Sequence, residues 1–154
     1  MPTRKAKDVL SSYWDGKLPV DVAAIAKAAG AAVIADSTIT ESGLFCFEEN
    51  TPVIRYNWAD ASVRQRFTIA HELGHFLLAH GKSFRDTPKD YSVTNYDPNE
   101  VQANRFAAEL LMPEAAVRLL VTNLEISDVD RLAEIFNVSQ AAMMYRLKNL
   151  RLIQ

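Results

Sequence analysis

Two of the three histidines in this 154-residue chain lie four residues apart, at His71 and His75. Positions i and i+4 of an α-helix differ by about 400° of rotation, so both imidazoles would project from one helix face, one turn apart. That spacing suits chelation of a single tetrahedral zinc ion by two ring nitrogens. Glu72 would lie about 100° further round the helix, where its carboxylate could reach a water at the metal without being a ligand. The HExxH pattern therefore predicts a catalytic zinc site with Glu72 as general base.

The structural alternative is a pair of partly buried histidines on an amphipathic helix, since HExxH also occurs by chance. Apolar residues flank the motif on both sides and place it in the middle of a predicted helix: Phe67, Ile69, Phe76 and Leu77. This context favours the metal site over the alternative.

A catalytic zinc site usually takes three protein ligands and keeps its fourth position for water. The third histidine, His80, does not fall where a metzincin-like extension would need it, and we expect it at the helix C-terminus, where the helix dipole favours a cation. Because the chain has one cysteine, Cys46, the third ligand should be a carboxylate. Glu100 and Glu109 are the candidates on the next predicted helix. They are nine residues apart, about 900° of rotation, so only one of them can face the metal.

Glu100 is the favoured ligand because the residues that share its helix face are small. These residues are Ala103, Asn104 and Ala107. They would let this helix approach the HExxH helix closely, and Asn104 could hold an imidazole N–H. A structural role is the alternative for Glu100, since it also stands at the N3 position of a capping box that begins at Asp97. Glu109 stays open as the alternative ligand.

The chain before the motif predicts two helices and a small antiparallel sheet. Apolar residues at helical spacing occupy residues 3–13 and 20–29, and residues 32–34 have the composition of a short strand. Within residues 43–57, two segments rich in β-branched and aromatic residues flank a turn and predict a hairpin.

The HExxH helix and the helix after it complete the predicted site. Ser62 and Gln65 have the spacing of a capping box and predict the start of the HExxH helix, which we expect to end near Gly81. A second long helix is predicted over residues 97–111. The polar segment 81–97 between the two helices predicts a loop that could wall the cleft.

Residues 114–154 predict two or three further helices and suggest a competing function. Residues 129–153 have the helix–short turn–helix rhythm of a DNA-binding unit, with Arg146, Lys148 and Arg151 as candidates for phosphate contacts. The competing function is a metal-containing regulator that binds DNA or a repressor protein without proteolysis. The overall net charge of −2 favours helices that simply pack on the rest of the domain. The glutamate of HExxH favours the enzyme, because a structural zinc site needs no general base.

The composition predicts one folded domain spanning residues 1–154. A hydrophobic fraction of 49% with 23% charged residues excludes a disordered or low-complexity chain. The near balance of charge argues against bulk binding of nucleic acid or anionic lipid. The longest nearly apolar stretch, residues 22–35, is too short to span a bilayer, and no signal segment is visible. The single cysteine suits a reducing compartment, so we expect a cytoplasmic protein that does not bind a membrane; the oligomeric state is open.

Four segments make up the predicted domain: the amino-terminal helices with the first strand, the hairpin, the two ligand-bearing helices and the carboxy-terminal helices. They correspond to residues 1–36, 43–57, 62–113 and 114–154.

Two blocks of the sequence, residues 64–75 and 100–113, resemble the ImmA/IrrE family of metallopeptidases. Residues 43–57 and the segment around residues 18–21 are also similar to the family, so the resemblance extends over most of the chain. It implies an α+β fold: a mostly helical, gluzincin-like zinc peptidase core with a small sheet.

The resemblance also implies the site and the substrate. The family's metal ligands correspond to His71, His75 and Glu100, and its catalytic glutamate corresponds to Glu72, with one Zn²⁺ per chain and Mn²⁺ left open as the metal used in the cell. Many members carry a further glutamate two residues after the third ligand, where this chain has Gln102. The implied activity is intracellular cleavage of a helix-turn-helix repressor or antitoxin that controls a mobile element, a stress response or a toxin–antitoxin locus.

Overall fold

The computed structural model describes residues 5–78, 83–86 and 97–153. Its helices are α1 (Ala6–Tyr13), α2 (Val22–Ala28), α3 (Ser62–Leu77), α4 (Pro98–Leu111), α5 (Glu114–Arg118), α6 (Val129–Phe136) and α7 (Gln140–Asn149), with a π-helical turn over Leu119–Asn123. Its strands are β1 (Ala32–Asp36), β2 (Gly43–Glu48), β3 (Thr51–Asn57) and β4 (Ser83–Asp86). None of the helices in these ranges is both long and apolar enough to cross a membrane.

The fold is α+β, as predicted, with a mixed four-stranded sheet in the order β1-β3-β2-β4. The predicted hairpin is present: β2 and β3 pair antiparallel, with Phe45 opposite Ile54. Its two turn residues, Glu49 and Asn50, have φ angles of 52° and 64°, the left-handed backbone that a tight two-residue hairpin turn requires.

The prediction of an antiparallel sheet is wrong at one pairing, because β1 runs parallel to β3, with Ala32 opposite Val53. β2 pairs with β3 and β4, and β1 joins the sheet at the other edge of β3. The chain enters β1 in the same direction as β3 and opposite to β2. Arg55 of β3 joins the three strands by ion pairs to Asp36 of β1 at 3.1 Å and to Glu48 of β2 at 3.0 Å.

Helix α3 is the centre of the fold and contacts both the sheet and α4. Its last ten residues, 68–77, are all buried. The sheet contributes Phe45 and Ile54 to the same core, and neither is exposed. Polar groups on a helix buried between two layers need hydrogen-bond or charge partners. The buried polar residues of α3 are therefore candidates for a functional site.

The start of α3 differs from the prediction. The N-cap is Ala61 rather than Ser62, and it makes no side-chain capping bond. Gln65, the second member of the predicted capping box, instead donates from Nε2 to the carbonyls of Trp58 and Asp60, at 2.9 and 3.0 Å. The Gln65 side chain therefore hydrogen-bonds the turn before the helix instead of the helix N-terminus. The capping-box prediction is wrong at this helix.

The region between α3 and α4 is only partly described. Helix α3 ends at Leu77, and both His80 and Gly81 lie outside the described residues. The segment 81–97 was predicted to be a loop, but its residues 83–86 form β4 at the edge of the sheet. The rest of that segment before Asp97 lies outside the described residues as well.

The carboxy-terminal helices include the predicted helix–short turn–helix unit. Helix α6 ends at Phe136, and its C-cap residue, Asn137, adopts the left-handed conformation with φ of 52°. Ser139 caps α7, accepting a bond at Oγ from the backbone N–H of Ala142 at 3.1 Å. Arg66 of α3 donates to the carbonyl of Asn137 at 3.1 Å, which anchors this helix–turn–helix unit on α3.

Ser139, which caps α7, and Ser62, which does not cap α3, allow a matched test of these helix boundaries. Ser139→Ala should lower the free energy of unfolding by about 1 kcal/mol, because a helix N-cap bond is lost. Ser62→Ala should change it by less than about 0.5 kcal/mol, since Ser62 lies inside the helix and does not cap it. Urea denaturation of both variants measures the difference. An equal loss for the two serines would contradict the assignment of Ala61 as N-cap.

Candidate metal centre

Helices α3 and α4 bring His71, His75 and Glu100 together in the protein interior. Nε2 of His75 lies 2.8 Å from Oε1 of Glu100, and Nε2 of His71 lies 3.0 Å from Oε2 of the same carboxylate. The two Nε2 atoms are 3.2 Å apart. All three residues are buried, and each offers one ligand atom within 4.8 Å of the others. The third candidate ligand of the sequence analysis therefore lies directly opposite the two histidines.

The arrangement fits a divalent metal ion in both geometry and donor chemistry. Bonds of about 2.0–2.1 Å at tetrahedral angles place neighbouring ligand atoms roughly 3.3 Å apart, slightly more than the 2.8–3.2 Å seen here. Two imidazoles and one carboxylate are a donor set that zinc accepts. Glu100 is only 6% exposed, and a carboxylate buried to that extent is costly unless a positive charge compensates it.

Asn104 orients the first imidazole. Its Oδ1 lies 2.8 Å from Nδ1 of His71, and an amide oxygen can only accept, so Nδ1 carries the proton. The lone pair of His71 is then on Nε2, the atom that faces Glu100 and His75. Phe67 stacks on the His71 ring with 6.2 Å between centroids, which restricts ring rotation. The structure thus places Asn104 where its spacing from Glu100 predicts it.

Glu109 faces another part of the molecule. Among the residues that the structure describes, it is not in the group that could share a metal with the two histidines. It lines a groove beside Arg146 instead. Glu100 and Glu109 therefore face opposite sides of α4, as expected for two helix positions that are nine residues apart.

Glycine allows the two helices to approach each other at the site. A Cβ atom on Gly74 of α3 would lie 3.1 Å from Cδ1 of Phe106 on α4, closer than ordinary carbon contacts. On α4, Ala103 and Ala107 are completely buried, as expected for small residues at a close helix–helix contact. The sequence analysis did not identify this contribution of Gly74.

Glu72 is completely buried on the side of α3 that faces the sheet. Its Cγ would be 3.6 Å from a Cβ placed on Gly43 of β2, and the same Cβ would overlap Cγ2 of Thr68. Only glycine therefore lets β2 come this close to α3 beside Glu72. The sequence analysis missed Gly43, whose only signal is a glycine at the first position of a predicted strand.

Comparison with known proteins places the chain in a family. Residues 26–148 match the family Peptidase_M78, described as an IrrE N-terminal-like domain. The chain belongs to that family. The matched range includes α3 and α4 with the three candidate ligands, so the resemblance to ImmA/IrrE proteins is confirmed.

Two individual proteins are also similar to this Peptidase_M78 member. A stretch of 75 residues is 32% identical to uncharacterized immunity region protein 2 of Bacillus phage phi105, and it amounts to 49% of this chain and 47% of the phage protein. The chain thus matches about half the length of that relative. A Mycobacterium tuberculosis transcriptional regulator shares the fold, with a TM-score of 0.54 and 20% identity over 75% of this chain and 35% of that one.

Metal analysis of single variants tests which carboxylate belongs to the site. We expect wild type and Glu109→Ala to bind one metal ion per chain, whereas His71→Ala and Glu100→Ala should lose most of it, because each removes one of three ligands. Stoichiometry by inductively coupled plasma mass spectrometry after gel filtration gives the answer. Loss of metal in Glu109→Ala with retention in Glu100→Ala would exclude the proposed ligand set.

A second variant tests the role of Asn104. Asn104→Ala should bind metal about 10–100-fold more weakly, because His71 loses the group that fixes its tautomer. Asn99→Ala, on the same helix, should keep the wild-type affinity. Competition with a chromophoric chelator measures both affinities, and equal affinities would show that Asn104 does not orient His71.

Proposed function

We propose that this protein is a zinc-dependent endopeptidase that hydrolyses a peptide bond in a helix-turn-helix repressor or antitoxin. The cleavage would derepress a mobile-element, stress-response or toxin–antitoxin locus. The observation that carries the proposal is the buried convergence of His71, His75 and Glu100 next to Glu72, in a chain that belongs to a peptidase family.

In this proposal His71 and His75 hold the metal through Nε2, and Glu100 holds it through its carboxylate. A zinc ion there would supply a Lewis acid that polarises the scissile carbonyl and makes water more acidic. Asn104 keeps the Nδ1 proton of His71 in place, so that Nε2 remains available. The close contact between Gly74 and Phe106 keeps the two ligand-bearing helices at the required separation.

Glu72 is the proposed general base and acid. It directly follows the ligand His71 on α3, so its carboxylate is held on the same rigid element as the metal ligand. Glu72 accepts the proton of the attacking water and then delivers it to the departing amine. Its burial beside Gly43 excludes bulk water from the carboxylate.

A repressor-related substrate is supported by the kind of protein to which the chain is similar. The phage relative is named as an immunity region protein, which accords with a substrate that controls a mobile element. A cytoplasmic location accords with a DNA-binding substrate and with the single cysteine.

One apolar cluster links helices from α1 to α7, which supports the proposal that residues 1–154 form a single domain.

The competing function, a regulator that acts without proteolysis, is supported by the helix–turn–helix unit of α6 and α7. Its predicted basic face is weaker than expected. Arg146 is only 8% exposed, and its Nε donates to the carbonyl of Met112 at 3.0 Å. Arg146 is therefore not part of an exposed basic face, because its Nε holds α7 against the end of α4. Lys148 and Arg151 are the exposed cations that remain of the three.

Replacement of the proposed base separates the two functions. Glu72→Gln should keep the fold and the metal but slow cleavage by at least about 100-fold, because the amide cannot accept the proton. The substrate to use is a helix-turn-helix repressor from the same genome, taken first from the neighbouring genes, with products identified by mass spectrometry. Glu134→Gln, an exposed change on α6, is the matched control and should cleave like wild type.

Cleavage by Glu72→Gln at the wild-type rate would contradict the assigned base. Tight binding of the repressor or of its operator by the zinc-loaded wild type, without any cleavage, would favour the regulator.

A further inference from the structure

A groove of 840 Å³ lies between α3, α4 and α7. We call it the arginine groove because three arginines line it: Arg64, Arg105 and Arg146. Its remaining charged residue is Glu109. Apolar side chains provide most of the other lining, among them Val63, Phe67, Val101, Met112 and Tyr145.

The size and lining of the arginine groove suit a small molecule. Binding sites for small ligands usually measure about 300–1,000 Å³ and combine an apolar lining with a few polar groups that fix orientation. Among the described residues that line the groove, there are three cations and one anion, so these residues carry a net positive charge. An apolar ligand with an anionic group would match both properties.

Arg146 is the buried cation of the groove, at 8% exposure. Its Nε donates to the Met112 carbonyl, and no residue in the described part of the chain accepts a hydrogen bond from its two terminal nitrogens. Burial lowers the pKa of Arg146, and the nearby carboxylates of Glu109 and Glu114 offset part of that effect. A partly desolvated guanidinium gains from a further anion, and its terminal nitrogens suit a carboxylate.

We propose that the arginine groove binds a small amphipathic carboxylate, with its apolar body over Phe67 and Met112 and its carboxylate at Arg146 and Arg105. A single negative charge fits better than two, because Glu109 lines the same groove and would repel a dianion. This site is separate from the metal centre, since the groove lies on the Nδ1 side of His71 and the candidate ligands meet at Nε2.

The arginine groove and the metal centre share two residues. Asn104 lines the groove and also bonds Nδ1 of His71 at 2.8 Å. Phe67 lines the groove and stacks on the same imidazole. A bound carboxylate therefore changes the affinity for metal, and by linkage the metal changes the affinity for the carboxylate by the same factor. This coupling rests on the proposed metal ligands, whereas binding in the groove does not.

Charge selection is the first test. Decanoate and decyltrimethylammonium have the same apolar chain and opposite charges, and each is titrated against the full-length, zinc-loaded protein by isothermal calorimetry below its micelle concentration. We expect decanoate to bind once per chain, at least about tenfold more tightly than the cation, and more weakly as salt is added. Equal affinities for the two probes, or no saturable binding of decanoate, would overturn the proposal.

Matched variants locate the site. Arg105→Gln should weaken decanoate binding about threefold to tenfold, whereas Arg131→Gln, an exposed arginine of α6 outside the groove, should have no effect. Ala142→Trp should fill the groove and abolish binding, with circular dichroism as the check on folding. If that variant does not fold, the two arginine variants still decide. Equal weakening by Arg105→Gln and Arg131→Gln would overturn the proposed location.

The coupling has its own readout. Zinc affinity of the Glu72→Gln protein, measured by chelator competition, should change several-fold at saturating decanoate, and decanoate affinity should change by the same factor between the apo and zinc-loaded protein. Unchanged zinc affinity would overturn the coupling. A protein that binds decanoate in the arginine groove but takes up no zinc would refute the proposed peptidase and leave the groove assignment intact.

Discussion

The structure depends on placing one buried carboxylate between two buried imidazoles. Glu100 lies at 2.8 and 3.0 Å from His75 and His71, in an interior where an uncompensated charge is expensive. In the proposed function, the separation of α3 and α4 must let a metal ion bridge the two helices. Gly74 against Phe106 sets that separation, and the sheet supports the opposite side of α3 through Gly43.

Two arginines hold the carboxy-terminal helices against this core. Arg66 of α3 donates to the carbonyls of Phe136 and Asn137 at the end of α6, at 3.3 and 3.1 Å. Arg146 of α7 donates to the carbonyl of Met112 at the end of α4. Burial lowers the pKa of both guanidinium groups, and their hydrogen bonds join one helix to the end of another. The helix–turn–helix unit is thus a wall of the arginine groove.

The local features of the site could be predicted from the sequence because they follow from helix geometry. Four-residue spacing puts His71 and His75 on one face, and a nine-residue spacing separates Glu100 from Glu109. The hairpin followed from alternating β-rich segments around a two-residue turn. Each of these inferences uses only neighbours along the chain.

The features that could not be predicted depend on contacts between distant residues. The parallel pairing of β1 with β3 depends on which strand edges remain open. The burial of Arg146 depends on a carbonyl 34 residues away, and the need for glycine at position 43 depends on Thr68 of another element. Even the local prediction of a capping box at Ser62 was wrong, because the Gln65 side chain donates its hydrogen bonds to carbonyls of the preceding turn.

Anomalous diffraction at the zinc absorption edge, from crystals grown with zinc, tests the central claim most directly. The account predicts one strong peak per chain between α3 and α4, at about 2.0–2.2 Å from Nε2 of His71, Nε2 of His75 and a carboxylate oxygen of Glu100. A peak at which another side chain replaces Glu100, or no peak between these helices, would contradict it.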